Sequence, residues 1–360
     1  MGQQFEFKLG MQEEVLHPRR FAESARAQAA LPILIEVDAR PGAKPKAVKA
    51  RPAILTKEIA AEDAFRLTLL QCKWHIASNI AAVVNAREVE GVHQMRVGFR
   101  RLRVALTAFG GDFRTPALEA LRERAGKLSE KLGPARDLDV FVEELLEPAA
   151  AANGKVDGFD LLRARAGEAR RTAWDFAVAH VLSPSFENFM HDLTDAIDRR
   201  IWFEAAGRAH ATRGHMAFEI PAVEIASRML DHHLKKAHRS ARHLKHMSPP
   251  KRHKLRISLK KLRYTAEFFA PLYKEGAARD FLKSLSKMQD VLGALNDVAV
   301  AHETLTRLAN PRNRAGGEHA ALSFAAGMVY GWHLDRANHV WEGAKKRWKR
   351  LAECEPFWLN

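Results

Sequence analysis

The feature that most constrains the fold of this chain is an internal repeat, because a duplicated segment predicts a duplicated structural unit. Residues 93–109 (HQMRVGFRRLRVALTAF) align without gaps with residues 253–269 (HKLRISLKKLRYTAEFF), 160 positions later. Five of the seventeen positions are identical, and five more keep their chemical character. The same offset aligns residues 132–140 (LGPARDLDV) with residues 292–300 (LGALNDVAV) and superposes Lys127 on Lys287. We therefore expect two similar halves.

Each copy of the repeat has the pattern of an amphipathic helix. At about 100° per residue, the basic residues fall within an arc of about 80°, and the apolar residues gather on the opposite side. The basic positions are His93, Arg96, Arg100 and Arg103 in the first copy and His253, Arg256, Lys260 and Arg263 in the second. The apolar positions are Met95, Phe99, Leu102, Leu106 and Phe109, and Leu255, Leu259, Leu262, Ala266 and Phe269. Ser248 and Pro249 suit the start of the second helix, and Pro271 suits its end.

The basic face of this helix lacks the acidic residues that usually accompany lysine and arginine on a solvated helix. No Asp or Glu occurs between Gly91 and Gly111, and in the second copy Glu267 lies beyond the basic positions. Like charges at a spacing of four residues repel, whereas opposite charges at that spacing stabilise a helix. A merely soluble basic face is the alternative interpretation. Because the pattern occurs twice in register, we expect an external anion to supply the missing charge.

The residue types on this face indicate phosphate. Arginine forks form paired hydrogen bonds with phosphate oxygens, lysine adds mobile charge, and histidine donates one or two hydrogen bonds. Proteins that bind single-stranded nucleic acid usually add aromatic side chains on which bases stack. Here Phe99 and Phe109 lie on the apolar side, and Tyr264 is the exception beside the basic face. A phosphate chain without bases therefore fits best, and sequence-nonspecific binding of a nucleic-acid backbone remains the alternative.

Composition supports a folded, basic protein. Of the 360 residues 47% are hydrophobic and 28% are charged, which is enough to bury a large core. The formal net charge of +15 favours polyanionic partners. Cys72 and Cys354 cannot form a disulfide framework, which fits a reducing, cytoplasmic compartment. Residues 1–9 lack a signal-peptide pattern, and the stretch 320–332 is too short to span a bilayer, so we expect no membrane association.

The sequence predicts an all-α fold made of duplicated helical-bundle halves, preceded by a short irregular arm. From about residue 60 onward, apolar residues recur at spacings of three and four, which indicates helices. Residues 31–55 contain four prolines, which favour an extended segment. We therefore place an arm or linker at residues 1–55 and one domain at residues 56–360. Glycines and Pro221 between residues 207 and 221 predict the junction, with repeat one at about 60–210 and repeat two at about 220–360.

The repeated pattern of His, two residues, Arg, then a basic pair, Leu and Arg resembles the CHAD family, the conserved histidine α-helical domain. The segment Asp63–Asn79, the motifs ending at Asp137 and Asp297, and the terminal Glu355–Trp358 extend the resemblance over about residues 56–360. The resemblance implies two four-helix-bundle-like halves related by pseudo-two-fold symmetry, whose basic residues line a central surface or pore that takes inorganic polyphosphate. It also implies that the eight basic positions of the repeat are direct ligands.

Many members of the CHAD family carry an N-terminal CYTH domain, and Phe5–Leu9 resembles the first strand of that domain. The second glutamate of the strand is missing, and too few residues follow it to close a barrel. We therefore expect this segment to be a vestige of a CYTH domain or a packing arm, without CYTH activity.

Further basic residues are candidates for the same site. Arg101 and Lys261 flank the basic positions, and Lys127 and Lys287 occupy equivalent places in the repeat. The pairs Arg66 with Lys73 and Arg228 with Lys235 share helix faces, and solvent exposure explains them equally well. Asp137 and Asp297 would repel a polyanion, and the Leu-Gly before each suggests a turn, so we expect them to cap helices or to orient an arginine.

The sequence gives no sign of catalysis or of a bound metal. Five histidines lie between His232 and His246, but only Lys and Arg surround them, which opposes a cation. A glycine-rich phosphate loop and paired carboxylates for Mg²⁺ are missing. We expect a non-catalytic protein without cofactor or metal, which binds polyphosphate through the basic residues and serves for targeting or scaffolding at polyphosphate granules. A phosphate-processing enzyme is the remaining alternative. The same site would accept sulfate or phosphate ions.

Overall fold

The computed structural model describes residues 44–109, 113–203, 219–309 and 317–359. Within these ranges the regular elements are helices, and β-type backbone pairing is limited to one isolated bridge between Ala60 and Pro221. The predicted all-α fold class is therefore confirmed for the part of the chain that the structure describes. Residues 1–43, with the CYTH-like segment and most of the predicted arm, and most of the predicted junction at 207–221 lie outside the described residues.

The α-helices are, in chain order, α1 Ala61–Ala77, α2 Ile80–Val84, α3 Val89–Ala108, α4 Pro116–Lys131, α5 Gly133–Val140, α6 Glu147–Asn153, α7 Asp157–Val181, α8 Pro184–Asp198, α9 Ala222–Ser240, α10 Pro249–Phe269, α11 Glu275–Leu308, α12 Gly317–Glu342 and α13 Ala344–Ala352. A π-helical segment, Phe141–Leu146, joins α5 to α6. Two 3-10 turns, Leu244–His246 and Ala270–Leu272, flank α10.

The packing of these helices follows the sequence repeat. In the first half, α3 packs against α1 and α4, and in the second half α10 packs against α9 and α11. The helices α7 and α12, which begin 160 residues apart, pack against each other. The repeated helices α3 and α10 also contact each other, and the equivalent rings of Phe109 and Phe269 lie 5.2 Å apart. The repeated segment therefore forms the centre of the domain.

The predicted boundaries of the second repeated helix are correct. Helix α10 begins at Pro249 and ends at Phe269, two residues before Pro271. Ser248 occupies the N-cap position with extended backbone angles, although its side chain makes no capping hydrogen bond. Proline at the first helical position lacks only an N–H group that would have no partner inside the helix, and its ring preorganises the backbone. The prolines thus define the length of this helix.

The two Leu-Gly segments differ, and the turn predicted for the second one is wrong. In the first half the helix is interrupted at Leu132, between α4 and α5. In the second half α11 continues without interruption through Leu292 and Gly293. The first copy has Pro134 where the second has Ala294. Because proline removes a backbone donor and clashes with the preceding turn, it breaks the helix in the first copy only.

The apolar faces of both repeated helices are buried, as the sequence predicts. All ten apolar positions assigned to these faces are at most 5% exposed. Around Phe109 the rings of Phe65, Phe113 and Phe269 lie within 4.9–6.3 Å of their neighbours, in tilted or stacked contacts that add to simple area burial. This aromatic core fixes the rotation of α3 and so directs its basic residues away from the core. Among the described residues, no helix combines the length and apolar character needed to cross a bilayer.

Candidate functional site

Four basic side chains from the two repeated helices form the centre of the candidate site. We call them the central cationic cluster; its members are Arg96, Arg100, Arg256 and Lys260. All four are partly buried. Arg100 donates a long hydrogen bond, 3.4 Å, to the hydroxyl oxygen of Tyr264 on the opposite helix, which ties the two halves of the cluster together. The site therefore lies where α3 meets α10.

The charges of this cluster act on one another. Burial, followed by the nearby Arg100 and Arg256, lowers the pKa of Lys260 to about 7. Burial also lowers the pKa values of Arg96 and Arg256, and Arg100 contributes to both effects. Removing a cation from water and placing it beside another cation both disfavour its charged form. The cluster thus holds positive charge at an electrostatic cost that an anion would remove.

None of the four side chains in the cluster forms an ion pair within 4.0 Å in the described structure. The nearest compensating carboxylates are Asp137 beside Arg96 and Asp297 beside Arg256, and these two pairs are related by the repeat offset. Burial raises the pKa values of both carboxyl groups, and the neighbouring arginines oppose that effect. Arg96 also donates from Nη1 to the backbone oxygen of Ser129, 2.8 Å away. The predicted orientation of a basic side chain by each aspartate stays a prediction, because the hydrogen bond of Arg96 is with Ser129.

The two repeated histidines differ in environment. His93 is partly buried, and burial together with the neighbouring Arg136 lowers its pKa. His253 is exposed near the start of α10. Arg136 also lies near Arg96 and Asp137, and the sequence reasoning did not identify it. Its place one residue before Asp137 in a repeated motif was the available signal, but the second copy has Asn296 at that position.

Two predicted site residues, Arg101 and Arg263, are held by one carboxylate. Arg101 is 6% exposed and donates to Glu267, and its guanidinium lies 4.9 Å from the ring centroid of Phe268. Arg263 donates from Nε to the other oxygen of Glu267 at 2.7 Å, and from Nη1 to Gln289 at 3.1 Å. The structure therefore places both arginines in internal contacts. Their role as direct ligands stays a prediction.

Arg103 and Lys261 lie in a second basic group beside the central cluster. The pKa of Lys261 is lowered by burial and then by Lys236, Arg122 and Arg103. The Arg103 guanidinium lies against α4, because a Cβ atom added at Gly126 would approach its Cζ atom to 3.2 Å. The Nε atom of Arg103 is buried without a hydrogen-bond partner. Arg122 and Lys236 are therefore basic neighbours that the sequence reasoning missed, since neither has a basic equivalent in the other half.

The remaining predicted residues lie away from the cluster or at the surface. Lys127 and Lys287 are exposed, and so are Arg228 and Lys235. Lys235 lies 3.8 Å from Asp231 on its own helix. Arg66 and Lys73 are partly buried, and burial lowers the pKa values of both, while Asp198 of α8 opposes this effect. Arg66 and Lys73 thus lie at the packing of α1 on α8, and their predicted role in binding stays a prediction.

The histidine segment 232–246 does not form a cluster of metal ligands. His233 is buried, and burial and then His232 lower its pKa to about 4. His238 packs edge-on against Trp348, with the ring centroids 5.3 Å apart. In the part of the chain that the structure describes, no three His, Cys, Asp or Glu side chains are placed to hold a metal ion. The histidines instead contribute to packing and to a basic surface.

Two solved structures have folds similar to the helical fold of this chain. The crystal structure of the CHAD domain from the plant Ricinus communis is similar to this chain with a TM-score of 0.68 and 28% sequence identity, over 83% of this chain and 96% of that one. PptA from Streptomyces chartreusis has a TM-score of 0.57 at 14% identity, over 81% of this chain and 100% of that chain, which is a likeness of fold alone.

Sequence comparison gives relatives from one bacterial species and a family match. Proteins Rv2226 and MT2285, each described as uncharacterized, come from Mycobacterium tuberculosis strains H37Rv and CDC 1551. Each is 27% identical over 277 residues, which is 75% of this chain and 50% of the relative, so the chain spans about half the length of these relatives. The CHAD domain matches residues 68–306, within which both repeated helices lie. Because this match covers more than half of the sequence, the chain belongs to the CHAD domain family.

Proposed function

We propose that this protein binds inorganic polyphosphate at the central cationic cluster, without chemical change of the ligand. One observation carries the proposal: two repeated helices bring four cations together, and no carboxylate within 4.0 Å pairs with any of them in the described residues. Membership of the CHAD family, which is linked to polyphosphate binding, supports the same ligand.

The electrostatics of the cluster favour a ligand with several linked negative charges. Each cation in the cluster lowers the pKa of its neighbours, because like charges repel. A polyanion that contacts all of them removes several of these repulsions at once. Arginine and lysine donors bind phosphate oxygens through charge-assisted hydrogen bonds. Such a hydrogen bond contributes about 1.5–3 kcal/mol. A linear phosphate chain supplies acceptors at short, regular intervals and so suits a row of donors along α3 and α10.

The aromatic side chain at the cluster does not favour nucleic acid. Tyr264 is 8% exposed, and its hydroxyl group accepts from Arg100. Phe99 and Phe109 are at most 1% exposed. A base therefore finds no exposed ring face on these three residues, whereas single-stranded nucleic-acid sites rely on such stacking for about 1–3 kcal/mol per base. A ligand made of phosphate alone requires only the donors of the cluster.

A double charge reversal tests the proposed site. Arg100→Glu with Lys260→Glu replaces two ligands by carboxylates, and we expect the affinity for long-chain polyphosphate to fall by more than about 100-fold. Both new carboxylates would lie near Arg96 and Arg256, so the variant relieves repulsion, and its far-UV circular dichroism should match that of the wild type. Lys155→Glu with Arg171→Glu is the matched control, because both residues are exposed. Unchanged affinity of the Arg100, Lys260 variant would refute the site.

A competition experiment tests the ligand. Long-chain polyphosphate, tripolyphosphate and single-stranded DNA are offered at one ionic strength, and we expect the long chain to bind most tightly because it engages more cations at once. Equal affinity for DNA would instead favour a general binder of phosphate backbones. Release of orthophosphate during the incubation would contradict the proposal that binding is non-catalytic. Association with polyphosphate granules, which we propose as the role of this binding, is tested by the location of the Arg100, Lys260 variant in cells.

A further inference from the structure

A second basic surface extends from the second half of the protein. Residues 232–266 contain twelve Lys and Arg and six His but no Asp or Glu. The central cationic cluster uses two of these residues, Arg256 and Lys260, and Glu267 neutralises Arg263. Most of the charge of this segment therefore lies outside the proposed polyphosphate site.

The C-terminal helix α13 brings additional cations to this segment. Trp348 of α13 packs against His238 near the end of α9, with ring centroids 5.3 Å apart. Trp341, close to the start of α13, stacks with the guanidinium of Arg252 in the first turn of α10, 4.5 Å from the ring centroid. Helix α13 also contacts the 3-10 turn before α10. These contacts place α13 beside the end of α9 and the start of α10.

We call the exposed cations of these elements the peripheral basic surface. They are Arg239 in the last turn of α9, Arg242 after that helix, Lys251 and Lys254 in α10, and Lys345, Lys346, Lys349 and Arg350 in α13. Among the described residues, Lys349 pairs with Glu353 at 3.6 Å, and the other seven form no ion pair. Glu342 and Glu353, the acidic residues nearest to these cations in α12 and after α13, lie outside the run 343–352.

The positions of these cations within their helices are unfavourable in the absence of an anion. The first turns of α10 and α13 contain no acidic residue, and neither helix has a side-chain cap hydrogen bond at its N-terminus. Lys251 lies in the first turn of α10, and Lys345 and Lys346 lie in the first turn of α13. Cations at a helix N-terminus oppose the helix dipole, whereas an anion there is stabilised. The N-termini of α10 and α13 lie close together, because Trp341 just before α13 contacts Arg252 in the first turn of α10.

Helix α10 connects this surface to the central cationic cluster. Arg252, whose guanidinium lies against Trp341, precedes Arg256 by four residues and so shares its helix face, about 6 Å away along the axis. We propose that the peripheral basic surface binds the part of a polyphosphate chain that extends beyond the central cationic cluster, so that it increases the affinity for long chains and not for short ones. This inference rests on the proposed function of the central cluster.

The tryptophans of the surface favour polyphosphate over nucleic acid as the occupant. One face of Trp341 is covered by Arg252, whose guanidinium lies 4.5 Å from the ring centroid. Trp348 contacts His238. These indoles thus hold cationic elements together, and the exposed groups that remain for a ligand are lysine and arginine side chains. Such groups recognise the phosphate chain itself.

Charge reversal in α13 tests this inference. Lys345→Glu with Lys346→Glu places acidic residues in the first turn of α13, where the helix dipole favours them, so the variant should fold. We expect its affinity for long-chain polyphosphate to fall about three- to twentyfold, and the slope of log affinity against log salt to decrease by about 1–2. The affinity for tripolyphosphate should change less than about twofold, because a short chain bound at the central cluster does not reach α13.

The control variant undergoes the same change of charge at positions that are distant from α13. Lys155 and Arg171 lie near the start of α12, since Gly158 packs against Ala321 and Arg171 lines a cavity with Leu322. The end of α12 that precedes α13 is roughly 30 Å away along the helix. Lys155→Glu with Arg171→Glu should leave the affinity for the long chain nearly unchanged. An equal loss in this control would show that only the net charge matters and would overturn the inference.

The possible failures are distinguishable. If the wild-type protein binds neither long-chain polyphosphate nor tripolyphosphate, the proposed function itself fails. If the wild type binds long chains and the Lys345, Lys346 variant binds them equally well, only the peripheral surface is refuted. If that variant loses binding of single-stranded DNA but keeps its affinity for long-chain polyphosphate, the surface is a nucleic-acid surface, and the inference is likewise overturned.

Discussion

The two halves of the protein agree at the centre of the site and differ at its edge. Arg96 with Asp137 in the first half and Arg256 with Asp297 in the second half form equivalent pairs of cation and nearby carboxylate. Arg103 and Arg263 are also equivalent, but Arg103 has a buried Nε atom without a partner, whereas Arg263 is bound by Glu267 and Gln289. Arg103 and Arg263 thus occupy equivalent positions in the repeat, but their side chains are not equally available to a ligand.

The difference originates at one position. The second half has Glu267 where the first half has Thr107. Glu267 accepts hydrogen bonds from both Arg101 and Arg263, and so it joins α3 to α10 and pairs with two predicted ligands, whose combined charge it halves. A carboxylate at this position stabilises the contact between the halves and removes cations from the binding face. We infer that the second half combines binding with assembly of the domain.

The largest effect that we expect concerns the stability of this contact. Glu267→Gln removes the negative charge that compensates Arg101, whose side chain is 7% exposed. An unpaired buried cation is costly, so the free energy of unfolding should fall by about 2–4 kcal/mol, as measured by urea denaturation. The corresponding change at the exposed pair of Glu147 and Arg163, Glu147→Gln, should reduce the stability by less than about 1 kcal/mol. Equal effects would show that Glu267 is not a structural link.

The second prediction compares Arg100 with its equivalent, Lys260. Because the pKa of Lys260 is about 7, this side chain loses its proton at a pH where arginine remains charged. A phosphate chain favours the protonated form, so the affinity should be highest below pH 7 and should fall up to about tenfold per pH unit above it. Titration calorimetry from pH 6.5 to 8.5 measures this dependence, and Lys260→Arg should flatten it. A flat profile in the wild type would contradict the prediction.

The ligand-free protein should show the opposite dependence on pH in its stability. The folded-state pKa of Lys260, about 7, lies below its ordinary value of 10.5. Between these two values the unfolded chain holds a proton that the folded protein releases, so this residue makes the free energy of unfolding rise with pH. Lys260→Met should therefore stabilise the free protein near pH 7 and weaken polyphosphate binding. The neighbouring His93, whose pKa is lowered, contributes only at more acidic pH.

Much of this fold could be predicted from the sequence, for a physical reason. The apolar spacing of residues 93–109 and 253–269 specifies which side of each helix is buried, and all ten predicted core positions are buried. The prolines around residues 249–271 specify where the second helix begins and ends. The Leu-Gly motif was less informative, because Pro134 rather than the shared Leu and Gly produces the break in the first copy.

The partners of the basic side chains could not be predicted in the same way. Helix periodicity places Arg263 on the basic face and Arg101 beside it, but the rotation of α3 against α10 decides that both reach Glu267. The proximity of Lys261 to Arg122 and Lys236 likewise brings together residues of α10, α4 and α9, and α4 is far from the other two helices in sequence. Such contacts depend on tertiary structure, and a single sequence contains no direct signal for them.

The fourth prediction separates Arg103 from Arg263 in ligand binding. Arg103→Ala removes a guanidinium without an ion-pair partner in the described structure, and we expect the affinity for long-chain polyphosphate to fall about three- to tenfold. Arg263→Ala removes a cation that is already held in an ion pair with Glu267, so the affinity should change less than about twofold. Fluorescence anisotropy with labelled long-chain polyphosphate measures both. Equal losses would mean that Arg263 leaves Glu267 for the ligand.

The smallest effect concerns two equivalent glycines beside the central cluster. A Cβ atom at Gly133 would lie 3.0 Å from Nη1 of Arg96, whereas a Cβ atom at Gly293 would have no neighbour within 4 Å. Gly133→Ala should displace the Arg96 guanidinium from Ser129 and lower the polyphosphate affinity about two- to threefold, since a misplaced donor weakens a charge-assisted hydrogen bond. Gly293→Ala should leave the affinity unchanged and stabilise α11 by about 0.5–1 kcal/mol, because alanine favours a helix interior. Anisotropy and urea denaturation measure both properties. If Gly293→Ala weakened binding as much as Gly133→Ala, backbone effects common to both helices would explain the loss, and the position of Arg96 would not.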